Sequence, residues 1–125
     1  MYWFSYSKLI SGVAAVLLAS FLMPVTAAAG DSDNAADIKA GEKLYSQTCV
    51  ACHGANGKGV LPGVSDFTSA DGPLTKSDAE LNKSITEGRS TPGAVLSMPA
   101  KGGNPSLTDD DILALIAYLR SNFGK

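Results

Sequence analysis

The clearest helical periodicity of apolar and polar positions lies near the C-terminus. Four apolar residues recur there at the spacing of one helix face: Ile112, Leu115, Ile116 and Leu119. Thr108 and Asp111 form a capping box ahead of this stripe, and acidic residues fill the first turn, where they favour the positive end of the helix dipole. The pattern predicts a helix that begins after Thr108 and buries its apolar stripe.

Two further helices are predicted upstream. The first is expected from about Asp37 to the cysteine at position 49, because four residues recur at helical spacing: Ile38, Gly41, Leu44 and Tyr45. Residues 30–36 are expected to form a loose polar leader, with Asp33 or Asn34 as the helix cap. The second helix is shorter and is marked by a capping box, two apolar residues one turn apart and a glycine stop: Ser77 and Glu80, Leu81 and Ile85, and Gly88.

Long segments separate these helices. Residues 54–75 and 89–106 are rich in glycine and proline, and no segment has the strict alternation of a strand. The predicted fold is therefore all-α, with three or more helices and long loops. Loops of this length are uncommon in a compact domain unless they are functional or wrap something, so a bound prosthetic group is expected.

The N-terminal segment has the pattern of a secretory signal peptide. Lys8 supplies a basic start, residues 9–23 are apolar, Pro24 breaks the run, and alanines lead to a cleavage site after Ala29. An uncleaved membrane anchor is the alternative, but the run before Pro24 is short against the roughly 20 residues that a spanning helix needs. Residues 1–29 are therefore predicted to be a signal peptide that directs export to the periplasm.

Residues 30–125 are predicted to form one domain, with no membrane association after cleavage. They keep all 12 acidic residues of the chain and lose one of the 10 basic ones, Lys8, so their formal charge is −3. No basic patch or stripe of the kind that binds nucleic acid is visible.

The chain has only two cysteines, Cys49 and Cys52. An exported pair is a disulfide candidate, but a bridge that closes so short a loop removes little entropy from the unfolded chain. The full motif, Cys49-Val50-Ala51-Cys52-His53, instead indicates covalent attachment of one haem c. Each thiol adds to one vinyl group of the porphyrin, and the imidazole binds the iron. All three side chains can reach one haem because their positions share one face of a helical turn.

Two alternative uses of this motif are weaker. A redox-active dithiol of the thioredoxin type belongs near a βαβ pattern, which is absent from the sequence. A structural zinc site almost always has four ligands, whereas two cysteines and one histidine supply three. A carboxylate would have to complete it.

The second axial ligand of the iron is predicted to be Met98. His53 is the only histidine, and the other two of the three methionines lie in the predicted signal peptide. Met98 lies in a glycine- and proline-rich loop, and His/Met ligation is a known haem arrangement that raises the reduction potential. The alternatives are a methionine that only fills a core gap, and ligation by Lys101 in its deprotonated form.

Weaker candidates surround these ligands. The carbonyl group of Pro62 could orient the far nitrogen of His53, although an ordinary turn proline explains the residue equally well. Arg89 and Lys101 could pair with haem propionates, although isolated charges are usually solvated.

The chain resembles the class I monohaem c-type cytochromes over residues 37–123. Four features carry the resemblance, in the order of that family: Gly41-x-x-x-Tyr45 in the first helix, the Cys49–His53 motif, Met98-Pro99, and a final helix with Leu115 and Tyr118. The resemblance implies a helical shell around haem in which the first and last helices cross. It implies thioether bonds at Cys49 and Cys52 and axial ligation by His53 and Met98.

The same resemblance implies single-electron transfer between larger redox proteins in a respiratory or photosynthetic chain. With both axial positions filled, the iron has no site for a substrate, so the protein is expected to be a monomeric electron carrier rather than an enzyme. Two alternatives stay open: a haem enzyme or gas binder with an open axial site, and a cytochrome subunit of a periplasmic dehydrogenase or oxidase.

Overall fold

In the computed structural model of the chain, residues 29–125 are described apart from 91 and 94, with side chains from Asn34 onward. The helical elements are α1 (Ala29–Leu44), a π-helical turn (Tyr45–Cys49), α2 (Val50–His53), α3 (Asp78–Glu87) and α4 (Asp109–Phe123), with 3₁₀ turns at Pro73–Thr75 and Ala100–Gly103. No strand occurs in the described residues, whose single β-bridge joins Arg89 and Met98. The all-α prediction is confirmed.

The predicted signal peptide lies outside the described residues except for its last residue, Ala29. The predicted start of the first helix is wrong, because α1 begins at Ala29 rather than near Asp37. The supposed polar leader is helical, and Asp33 and Asn34 lie inside the helix instead of capping it. Alanine is the strongest helix former, and Ala29, Ala35 and Ala36 lie in this stretch.

α1 crosses α4 at Gly41. A Cβ on Gly41 would collide with the carbonyl oxygen of Ala114 and would lie 2.8 Å from the Cβ of Tyr118. The missing side chain therefore lets the two helix backbones touch. The crossing of the first and last helices that the resemblance implies is confirmed, with Ala114 as the residue in direct contact with Gly41.

α4 supplies most of the core. Its predicted stripe is buried, with exposed fractions of 0 to 5%: Ile112, Leu115, Ile116 and Leu119. The capping boxes of α3 and α4 form as predicted, at Ser77 and Thr108. Arg120 of α4 donates to the carbonyl groups of Leu74 and Lys76, at 2.9 and 2.7 Å, and so fixes the entry to α3.

The loop after α2 is folded onto the core rather than extended into solvent. Phe67, 9% exposed, is its buried anchor, and its N–H donates to the carbonyl group of Gly57 at 2.8 Å. The Phe67 ring lies 5.9 Å from that of Phe123 at the end of α4. Among the helices of the described residues, none is long and apolar enough to cross a membrane.

Candidate haem site

The C-x-x-C-H motif lies at the end of a continuous helical run. Cys49 is the last residue of the π-helical turn, and Cys52 and His53 lie in α2. Gly54 ends the run at a φ of 76°, which a residue without a Cβ adopts most easily. π-helical turns are rare in proteins, and those that occur are frequently found at functional sites. The sequence pattern did not predict this one.

The loop that follows is hydrogen-bonded back onto the motif. The N–H of Gly59 donates to the carbonyl oxygen of His53, and the N–H of Val60 to that of Cys52, both at 2.9 Å. Tyr45 at the start of the π-helical turn donates its O–H to the carbonyl oxygen of Gly54 at 2.7 Å. The C-terminal end of the motif is therefore held both by the loop that follows it and by the residue that begins the π-helical turn.

All four predicted site residues line one cavity of about 310 Å³: Cys49, Cys52, His53 and Met98. Residues 63–65 and 96–99 complete much of its wall. A smaller cavity of about 30 Å³ extends toward the core, where Leu115 and Leu119 line it together with Cys49, His53 and Met98. The structure thus brings together residues that lie up to 49 positions apart in the sequence.

His53 is held by the loop rather than by the predicted proline. Its Nδ1 lies 3.4 Å from the carbonyl oxygen of Ser65, and its ring stacks on Phe67 with centroids 4.5 Å apart and an interplanar angle of 19°. Burial lowers the pKa of His53, so the imidazole is neutral at pH 7. With Nδ1 turned toward the Ser65 carbonyl group, Nε2 is the nitrogen left for a metal.

The carbonyl group of Pro62 does not orient His53. It accepts instead a hydrogen bond from the N–H of Val95 at 3.4 Å, so the ordinary turn interpretation of Pro62 holds. Sequence reasoning missed both Ser65 and Phe67. Phe67 had one signal, because it is the only aromatic residue between His53 and Tyr118, whereas a backbone carbonyl group such as that of Ser65 leaves no mark in a sequence.

The two cysteines are not joined by a disulfide bond. Burial, and to a lesser degree the neighbouring Cys52, raise the pKa of the Cys49 thiol to about 11, so it is protonated at neutral pH. Among the described residues, no three His, Cys, Asp or Glu side chains are grouped as a metal ion would need.

Met98 is half-buried and faces the cavity from a segment that is hydrogen-bonded to Arg89. The side chain of Arg89 is exposed but lines the same cavity. Lys101 is different, because its Nζ donates to the carbonyl oxygen of Leu107 at 2.6 Å. That bond ties Lys101 to the loop before α4.

The site fits a covalent haem by its donor set. Two reduced thiols, one neutral imidazole and one thioether converge on a cavity whose inner wall is aliphatic and aromatic. Thiols three residues apart are what the two thioether bonds require, and a soft thioether with an imidazole is a known pair of iron ligands.

Comparison with known proteins points to the same group. Residues 38–123 match the family described as Cytochrome c. Cytochrome c-555 of Chlorobaculum thiosulfatiphilum is 34% identical over 84 residues, which are 66% of this chain and 93% of that protein. The cytochrome bc1 complex cytochrome c subunit of Mycobacterium leprae (strain TN) is 33% identical over 117 residues, which are 86% of this chain but 35% of that protein.

A solved structure agrees. Cytochrome cL from the methylotroph Methylophaga aminisulfidivorans MPT superposes with a TM-score of 0.52 and 30% identity, over 69% of this chain and 53% of that chain. This chain therefore spans about a third of the mycobacterial subunit and about half of cytochrome cL. Given the match over residues 38–123, the helical fold and the C-x-x-C-H motif, the chain belongs to the cytochrome c family and is an electron-transfer protein with covalently bound haem c.

Proposed function

We propose that this protein is a monomeric, periplasmic carrier of single electrons whose iron has two protein ligands, His53 and Met98. Cys49 and Cys52 form the thioether bonds. The observation that carries the proposal is the shared cavity. It is lined by the only histidine of the chain, by the only methionine outside the predicted signal peptide, and by both cysteines.

The bound haem supplies an iron atom that alternates between the ferric and ferrous states. The protein side chains do the rest. The Ser65 carbonyl group and the Phe67 ring fix the plane of His53, which keeps Nε2 directed into the cavity. Leu115 and Leu119 line its inner end with apolar surface, and such surroundings together with a neutral thioether favour the less charged ferrous state.

An apolar rim beside the cavity is the proposed contact surface for redox partners. Four exposed hydrophobic residues on the two loops form it: Val60, Leu61, Val95 and Leu96, with exposed fractions of 57, 39, 66 and 54%. Leu96 itself lines the cavity, and Arg89 is the only charged residue among the described lining residues. Exposed apolar surface of this kind is typical of an interaction site, and partners that exchange electrons would approach here.

The predicted signal peptide, residues 1–29, supports export to the periplasm and a domain of residues 30–125. The chain covers 93% of the length of a relative named cytochrome c-555, which supports a small carrier in a respiratory or photosynthetic chain.

A subunit role is the second candidate. The mycobacterial relative is named as the cytochrome c subunit of a bc1 complex, and it aligns with 86% of this chain. Purification from the native membrane and periplasmic fractions separates the two roles. A free haem-containing monomer supports the carrier, whereas recovery only within a larger redox complex supports the subunit.

Optical spectra test the axial ligands. The ferric holoprotein should have the weak far-red band of a methionine–iron bond, and the ferrous protein should not bind carbon monoxide readily. Met98→Ala should remove the band, open the site to carbon monoxide and lower the potential by on the order of 0.1 V, a fraction of the roughly 0.8 V that axial ligands span. Leu96→Ala, which alters the same cavity wall, is the control. A high-spin ferric wild type, or an unchanged Met98→Ala spectrum, would show that the ligand assignment is wrong.

A further inference from the structure

The backbone at Met98 is held by the residues that follow α3. Arg89 and Met98 are paired in both directions: the N–H of Arg89 donates to the Met98 carbonyl oxygen at 2.9 Å, and the N–H of Met98 donates to the Arg89 carbonyl oxygen at 2.8 Å. Both polar backbone groups of Met98 are therefore engaged by one residue. α3 is itself fixed, because Leu81 is buried at 4% exposure and Ile85 packs against the core.

Gly88, which ends α3, lies directly against the same segment. A Cβ on Gly88 would lie 2.6 Å from the carbonyl oxygen of Met98, 2.7 Å from the nitrogen of Ala100 and 2.9 Å from the carbonyl carbon of Pro99. All three are backbone atoms, so none can rotate aside as the end of a flexible side chain could. Any side chain at position 88 would have to push residues 98–100 away from α3.

We propose that Gly88, together with the backbone of Arg89, is a positioning residue for the Met98 thioether. The inference rests on the proposed ligation of iron by Met98. Because Gly88 has no side chain, the backbone of residues 98–100 packs directly against the end of α3. This contact sets the position of Met98. Cys49, Cys52 and His53 lie on other elements, so a change at Gly88 acts on the methionine side of the site alone.

Gly88→Ala tests the inference, with Gly93→Ala as the matched control. Gly88 and Gly93 have φ values of 79° and 82°, so an added methyl group brings similar backbone strain at both. They differ in their surroundings, because a Cβ on Gly93 meets no described heavy atom within 4 Å. The comparison therefore isolates the displacement of residues 98–100.

The readout is the ferric holoprotein. Gly88→Ala should weaken the far-red methionine–iron band and bind imidazole about tenfold more tightly, since the apparent affinity of a competing ligand scales with the fraction of molecules whose axial site is open. Gly93→Ala should match the wild type. Haem should resist acid-acetone extraction in both variants, because neither touches the cysteines.

Met98→Ala separates the inference from the proposed function. In the Met98→Ala background, Gly88→Ala should add no further imidazole affinity, because its effect acts through the methionine. Wild-type spectra and imidazole affinity in Met98→Ala would overturn both the ligand assignment and the inference. An altered Met98→Ala with Gly88→Ala equal to Gly93→Ala would overturn the inference alone.

A second pair of variants applies if Gly88→Ala does not fold. Arg89→Pro removes the N–H that the Met98 carbonyl oxygen accepts, whereas Arg89→Ala removes the same side chain and keeps the N–H. Arg89→Pro should bind imidazole more tightly than Arg89→Ala. Equal affinities in this pair would contradict the inference.

Discussion

The hydroxyl group of Tyr45 offers a direct test of how the haem-binding turn is held. Tyr45 begins the π-helical turn, is 2% exposed, and donates to the carbonyl oxygen of Gly54, the residue after His53. Tyr45→Phe removes this one bond. It keeps the ring, whose centroid lies 5.4 Å from that of Tyr118 and 5.5 Å from that of Phe123.

The expected cost is about 1 kcal/mol of unfolding free energy, which is the net contribution of a typical hydrogen bond. The larger penalty for an unpaired buried carbonyl group does not apply, because the N–H of Gly57 still donates to the Gly54 carbonyl oxygen at 3.2 Å. For a domain of this size, 1 kcal/mol corresponds to a fall in Tm of roughly 4–8 °C.

The same hydroxyl group predicts a dependence on pH. Burial, as the largest cause, raises the pKa of Tyr45 well above its ordinary value. Because the pKa is raised in the folded state, the stabilisation is fully present below the unfolded pKa, which is about 10, and is lost as the pH rises above it. The stability difference between wild type and Tyr45→Phe should therefore be constant from pH 7 to 9 and should shrink above about pH 10.

Thermal unfolding of the ferric holoprotein, followed by far-UV circular dichroism, measures both effects. Tyr118→Phe is the matched control, since Tyr118 belongs to the same aromatic cluster but is only partly buried. The Tm of Tyr118→Phe should fall by less than half of the fall seen in Tyr45→Phe. Equal falls in the two variants, or a difference that does not shrink at high pH, would refute the assigned role of the Tyr45 hydroxyl group.

Two further predictions concern the fold and the haem attachment. Gly41→Ala should lower the free energy of unfolding by about 1–3 kcal/mol in a denaturant titration, because the new methyl group collides with the backbone of α4, and an unchanged free energy would contradict the close crossing. Replacing Cys49 and Cys52 together by alanine should release the haem into acid-acetone, whereas haem retained by the double variant would disprove thioether attachment at these positions.

Local signals explain why much of the fold was predictable from the sequence. The capping boxes at Ser77 and Thr108 act within one turn, and the apolar stripe of α4 is a periodic pattern, so both could be recognised without knowledge of the neighbours. The start of α1 was misplaced because polar residues were taken as a leader. Glycine, aspartate, serine and asparagine, which make up residues 30–34, rank low in helix propensity, so propensity did not predict that α1 runs through them.

The sequence by itself determined the chemistry of the site. The spacing of Cys49, Cys52 and His53 specifies covalent haem attachment, and the count of histidines and methionines leaves Met98 as the candidate partner of His53. These conclusions depend on residue type and spacing alone, which folding does not change.

Only the tertiary structure decided how those residues are held. The loop fold places the carbonyl group of Ser65 rather than that of Pro62 beside His53, and stacks Phe67 on its ring. The end of α3 places the backbone of Gly88 against Met98. These contacts join distant segments. Most are made by backbone atoms that every residue has, so residue type does not record them, and the ring of Phe67 is the exception.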